Sequence, residues 1–183
     1  MADHPTIFQG VIVRCGGSDL YYPGLVSQAL QAIASKPMGR SLLRSITDRV
    51  DRAVDGFTVA ITKPKSHAQS DGNQGKLVTT WTNKAVRFNE DDACNGSGTR
   101  TAVYWNPNIL SAPDGARPPF IALAHELIHA MQNLRGTAYK DTRKEEFSTV
   151  GLYDYANRRK RNENAIRAEH GVALRASYYG LDP

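Results

Sequence analysis

Thiols are scarce: among 183 residues only Cys15 and Cys94 occur. They form no CxxC pair and no framework, which excludes a thiolate zinc site and a disulfide-stapled scaffold. A reducing working compartment is the simpler expectation. No apolar run approaches the roughly 18 residues that a membrane-spanning helix needs. The first thirty residues lack a basic start followed by an apolar stretch, so no Sec-type leader and no membrane partner are expected. Aromatic residues make up 8% of the chain and are not interleaved with the basic run Arg158-Arg159-Lys160-Arg161, so no nucleic-acid partner is expected. There is no internal repeat, no low-complexity tract and no interdomain linker. What remains is one domain over residues 1–183, with 1–24 extended or flexible.

Hydrophobic residues account for 40% and charged residues for 22%, the balance of an ordinary soluble domain. The net charge of +5 favours acidic partners, but its simplest meaning is a solvated basic face.

Against this plain background stands the stretch Phe120 to Leu134, closed by Gly136, with His125-Glu126-Leu127-Ile128-His129 at its centre. Residues four apart stack on one face of a helix, so both imidazoles of this HExxH can reach one metal ion. Glu126 follows the first histidine directly, where its carboxylate can hold the attacking water. Two histidines and a glutamate inside so apolar a helix would be costly to bury without a task. The pattern points to a zinc hydrolase. A basic, non-catalytic binding module with a coincidental HExxH is the competing function.

Around that helix the period of the chain changes twice. Thr6 to Val13 is either a strand broken at Gly10 or an extended arm, and Tyr21-Tyr22-Pro23-Gly24 is expected to form a turn. Val26, Ala29, Leu30 and Ile33, then Met38, Leu42, Leu43, Ile46 and Val50, recur at helical spacing on either side of Pro37. Phe57–Thr62, Lys76–Thr82, Ala85–Phe88 and Thr101–Trp105 are β-rich. Glu90, Asp91 and Asp92 lack the spacing of a calcium loop and belong to a solvated connection. The expected fold is α+β: a single zincin-like domain in which a small, mainly antiparallel sheet packs on the HExxH helix, between helical N-terminal and C-terminal parts. Thr101–Trp105, with Tyr104, is a candidate edge strand for binding an extended peptide, or else a plain core strand.

A catalytic zinc usually takes three protein ligands. No third histidine follows at the metzincin spacing, so a carboxylate from Glu145 or Glu146, at the start of the next helix, is expected to complete the set. Further on, Arg175 and Tyr178 stand three apart, would share a face on a helical turn, and are candidates for stabilising an oxyanion. Glu163 is a candidate for orienting a metal-bound histidine. His170 is open between substrate contact, support of the site and a plain loop role.

Taken in order, His125-Glu-Leu-Ile-His-Ala130, Gly136, Glu145-Glu146-x-x-Thr149-Val150-Gly151, Glu163-Asn164-x-x-Arg167 and Arg175-x-x-Tyr178 resemble the NleD-type effector metallopeptidases. The likeness runs from about Thr101 to Tyr179. The same landmarks are similar to those of clostridial neurotoxin light chains. The resemblance implies a zinc endopeptidase of the gluzincin type: zinc held by His125, His129 and Glu146 (in preference to Glu145), Glu126 as general base, Arg175 and Tyr178 on the oxyanion, and Glu163 behind a ligand. It also implies a monomeric bacterial effector delivered by type III secretion into the host cytoplasm. Its protein substrate would be a host signalling protein, with JNK- and p38-type MAP kinases foremost. A different, bacterial protein target is the alternative.

Overall fold

A computed structural model describes residues 2–52, 58–63, 69–70, 77–78, 83–112, 115–156, 160–178 and 180–181. In chain order these hold β1 (Ala2–Pro5), β2 (Val11–Cys15), α1 (Tyr21–Ala34), α2 (Pro37–Arg52), β3 (Val59–Thr62), β4 (Gln69–Ser70), β5 (Leu77–Val78), β6 (Lys84–Arg87), β7 (Thr101–Tyr104), β8 (Ser111–Ala112), β9 (Gly115–Ala116), α3 (Pro119–Arg135), α4 (Thr142–Val150) and α5 (Glu163–Glu169). The class is α+β, as expected, but the main sheet is mixed rather than mainly antiparallel. Its order is β1-β2-β3-β7-β6, with antiparallel pairing at the two margins and parallel pairing of β2 with β3 and of β3 with β7. The reason lies between β2 and β3. The helical pair α1–α2 carries the chain back to the end where β2 began, so the next strand must run parallel to it.

The register sets the two faces of the sheet. Val13, Ile61, Val103 and Ala85 are aligned across four strands and join the core beneath the helices. The next row, Arg14, Thr62, Tyr104 and Lys84, lies on the opposite face because side chains alternate along a strand. Within residues 2–24, β1 and β2 form an extended hairpin on the sheet margin, turned at Gly10 with φ 75°. Tyr21 to Gly24 is the first turn of α1 rather than a separate turn. Asp19 Oδ1 accepts from Tyr22 N at 3.1 Å, and Pro23 is tolerated where helical N–H groups have no intrahelical partner. Of the expected strand Lys76–Thr82, only Leu77–Val78 falls within the described residues, paired with β4. β7 is flanked on both sides, so the edge strand beside the site is β6.

α3 is buried on every side from Ile121 to Leu134, packed among α1, α2, α5, β6 and β7. A helix enclosed all round explains why its sequence is apolar beyond a single stripe. Pro119 opens it at a position that needs no N–H, and Gly136 closes it with φ 67°. A Cβ at Gly136 would lie 2.6 Å from the Gly96 backbone, so both conformation and space demand glycine here.

Candidate active site

His125 and His129, one turn apart on α3, direct Nε2 toward a common point, 3.2 Å from each other. Glu146 Oε2 lies 3.2 Å from the first and 3.3 Å from the second. That oxygen is buried and has no aligned hydrogen bond. Three donors on a tetrahedral zinc at about 2.0–2.1 Å would stand roughly 3.3 Å apart, so the triangle fits zinc. The unspent lone pair fits it as well. Oε2 is a metal-ready atom.

Each histidine is held from behind through Nδ1. Glu163 Oε2 lies 2.7 Å from His125 Nδ1, and Glu145 Oε1 lies 3.0 Å from His129 Nδ1. The two adjacent acids at the start of α4 divide the work because successive residues project about 100° apart on a helix. Glu146 reaches the Nε2 pair. Glu145 turns to the rear, where its Oε2 also accepts from Tyr139 N at 2.8 Å. Asp141 caps α4 by accepting from Lys144 N at 2.8 Å, which fixes where both acids point.

Glu163 is fully buried and anchors a cationic cluster. Arg167 Nε donates to its Oε1 at 2.6 Å and Arg175 Nη1 to its Oε2 at 3.2 Å. Asn164, present in the motif but given no role by it, clamps the Arg175 backbone in both directions, at 2.8 and 2.9 Å. The expected helical turn for Arg175 and Tyr178 is absent. α5 ends at Glu169, and residues 172–178 have no regular structure. The two side chains meet nonetheless, with the guanidinium 4.6 Å from the Tyr178 ring centroid.

Burial and partners set the charges of the site. Burial alone would raise Glu146, yet the two histidines outweigh it and hold the carboxyl far below its usual range. Glu163 is likewise raised by burial but pulled well down by His125, Arg175 and Arg117. Burial lowers His129, whereas Glu145 and Glu146 more than reverse this and bring it up to about 10. His125 is also raised, because Glu146 and Glu163 outweigh its burial. Tyr178 is pushed up by burial and by nearby Glu146, so its phenol keeps its proton and remains a donor at neutral pH.

His125, Glu126, His129, Glu146 and Tyr178 line one cleft of about 220 Å³, walled on the far side by Ala85 and Arg87 of β6. Arg117 also lines it, with Nη2 3.8 Å from Glu126 Oε1. Its Nε and Nη2 are buried without a hydrogen-bond partner. Sequence reasoning missed Arg117 altogether; it lies in the short run between β9 and α3 and belongs to no motif. Two expected site residues lie elsewhere. Tyr104 is on the outer face of the sheet, where Lys84 Nζ stands 5.7 Å over its ring. His170 caps the end of α5 with its ring 4.8 Å from Phe120, outside the cleft lining. A larger hollow of about 570 Å³, lined by Tyr21, Leu25, Trp105 and Phe120 among others, shows no convergent acid–base set among the described residues.

With this geometry in view, three comparisons bear on the chain. The family model Peptidase_M91, described as "Effector protein", matches residues 12–178. Paraclostridial mosquitocidal protein 1 of Paraclostridium bifermentans is 25% identical over 148 residues, covering 70% of this chain and 12% of that protein. The catalytic domain of Clostridium botulinum neurotoxin serotype F shares the fold, with a TM-score of 0.53 and 19% identity over 73% of this chain and 42% of the neurotoxin chain. The present chain therefore spans well under half the length of either relative. The match to the family model runs through the HExxH helix, the paired acids of α4 and Tyr178, and on it the chain belongs to the M91 effector peptidases, a zinc metallopeptidase family.

Proposed function

We propose that the chain is an endopeptidase in which His125, His129 and Glu146 hold zinc. The observation that carries this is the triangle of two Nε2 atoms and the unspent Glu146 Oε2 on the wall of a cleft that also contains Glu126 and Tyr178. When bound, zinc supplies Lewis acidity toward a carbonyl and acidifies water. Glu126 accepts the proton of the attacking water and returns it to the leaving amine. Tyr178, kept protonated, donates to the oxyanion that develops on the scissile carbonyl. Arg175, its side chain only 5% exposed, acts through others: it stacks on Tyr178 and holds Glu163. Glu163 and Glu145 fix the ring orientation of the two histidines. Among the described strands β6 ends the sheet beside the cleft, and its edge would offer backbone groups to an extended substrate.

The protein acted on is a host signalling protein reached by secretion and delivery, with the activation loops of JNK- and p38-type MAP kinases as the leading candidates. The effector description of the family supports delivery; the resemblance of the motif set supports the kinase. The test is a comparison of new N-termini in host-cell lysate treated with wild type or Glu126→Ala. Termini within kinase activation loops, present only with wild type, are expected. Cleavage confined to other proteins would remove the kinase, and no cleavage at all would remove the peptidase.

A further inference from the structure

Away from the cleft, α2 and the segment before α5 enclose a hollow of about 310 Å³ lined by Arg40, Ser41, Arg44, Ser45, Asp48 and Arg161. Two of its three guanidinium groups are held in place by neutral acceptors. Arg40 Nη1 donates to the Ala34 and Ser35 carbonyls at 3.2 and 3.0 Å, and Arg161 Nε donates to Ser41 Oγ at 2.9 Å. None of these three bonds neutralises the charge it fixes. Among the described residues no carboxylate pairs with Arg40, Arg44 or Arg161, while Asp48 leaves the lining with three positive charges against one negative. Arg40 and Arg44 are a like-charged pair four apart on one helix, a repulsion that an anion between them would relieve. Ser45 is 2% exposed, and its buried Oγ has no hydrogen-bond partner.

Preset guanidinium groups and an unspent hydroxyl lining one hollow are the kind of donor set that a phosphoryl group takes, in several charge-assisted hydrogen bonds at once. A second groove, lined by Ile7, Phe8, Gln9, Leu43 and Thr47, shares Arg40 and Arg44 with the hollow. An anionic group in the one thus sits beside an apolar side chain in the other. That pairing is what a peptide presents, and a recessed site suits it better than a flat bilayer surface.

We propose that this hollow is a docking site for a phosphorylated side chain on a protein partner. It is separate from the cleft and independent of its chemistry, so binding can be read on the zinc-loaded protein without any cleavage. The experiment is fluorescence anisotropy with a labelled pool of phosphoserine peptides flanked by apolar residues, against the same pool unphosphorylated. Inorganic phosphate serves as competitor, and phosphatidylserine vesicles form a separate arm. The phosphorylated pool is expected to bind at least about tenfold more tightly. Arg44→Gln and Arg161→Gln should each remove most of that difference, Ser45→Ala should reduce it several-fold, and phosphate should compete. Equal binding of the two pools, a preference unchanged in Arg44→Gln with Arg161→Gln, or binding to vesicles alone would overturn the assignment. Because Arg44 is exposed, its substitution leaves the fold intact and keeps the test decisive even if Ser45→Ala fails to fold.

Discussion

Glu163 shows how much one carboxylate can carry. Fully buried, it meets His125, Arg167 and Arg175, so its removal strands two buried guanidinium groups. Breaking a buried pair from one side typically costs about 3–5 kcal/mol. Glu163→Ala should therefore lose stability of that order, measured by urea unfolding, together with a fall of roughly 10- to 100-fold in zinc affinity as His125 loses its orienting partner. Glu163→Gln, which keeps the shape and an acceptor, should recover part of both. Glu126 calls for the opposite result. It touches neither ring nitrogen in the triangle, so Glu126→Gln should keep its zinc by elemental analysis while kcat falls by about 10²- to 10⁴-fold. Zinc loss in that variant would make Glu126 a ligand instead of a base. Arg117 sets a positive charge 3.8 Å from the same carboxylate, and Arg117→Gln should lower kcat/KM by about tenfold or more with zinc content unchanged. Wild-type kinetics would leave its buried donors without a task.

At the level of elements, the site is two short stretches clasping a third. The HExxH face was legible in the sequence because its spacing is local: four residues on a helix determine where both imidazoles go. The candidates Glu145 and Glu146 were legible as a pair, since a helix start advertises itself. Which of them faces the metal depends on how α4 leans on α3, and only the resemblance pointed to Glu146. Nonlocal order was illegible. Because Thr101–Trp105 precedes α3 in the chain, it is open between an edge strand beside the site and a plain core strand; strand order is set by crossovers, which make it the core strand and put β6 at the end of the described order. Arg117 carries no pattern at all, and the contact of Arg175 with Tyr178 does not need the helix expected for it. Gly136 stands where a helix stop is expected, and its φ of 67°, with the Gly96 backbone 2.6 Å from where a Cβ would sit, explains why. Gly136→Ala should cost about 1–2 kcal/mol for the left-handed backbone alone, more with the close approach to Gly96, and calorimetry should register a fall of several degrees in Tm. A fall of less than one degree would mean the turn relaxes freely.

Across the whole molecule, the proposed zinc would join elements that the chain leaves separate: two ligands on α3, one on α4, and α5 behind them through Glu163. A ligand that binds only the folded state stabilises it by about 2.7 kcal/mol at a hundredfold excess over Kd, so chelation should lower Tm by several degrees. The size of that gap should depend on pH in a definite direction. In the metal-free fold His129 is raised to about 10, against about 6.5 in an unfolded chain. A raised value means that protonated His129 stabilises the metal-free fold fully below pH ~6.5, and that this contribution is lost as the pH climbs through about 10. Zinc requires the neutral ring and must displace that proton, so its binding tightens over the same interval. Both effects act in one sense. Between pH 6 and pH 8.5 the difference in Tm between zinc-loaded and chelated protein should widen, as followed by differential scanning fluorimetry. In His129→Gln the zinc-dependent difference should largely vanish at every pH. A gap that narrows with rising pH would mean that His129 is not the group giving up its proton to the metal, and the triangle on α3 and α4 would need a different third member.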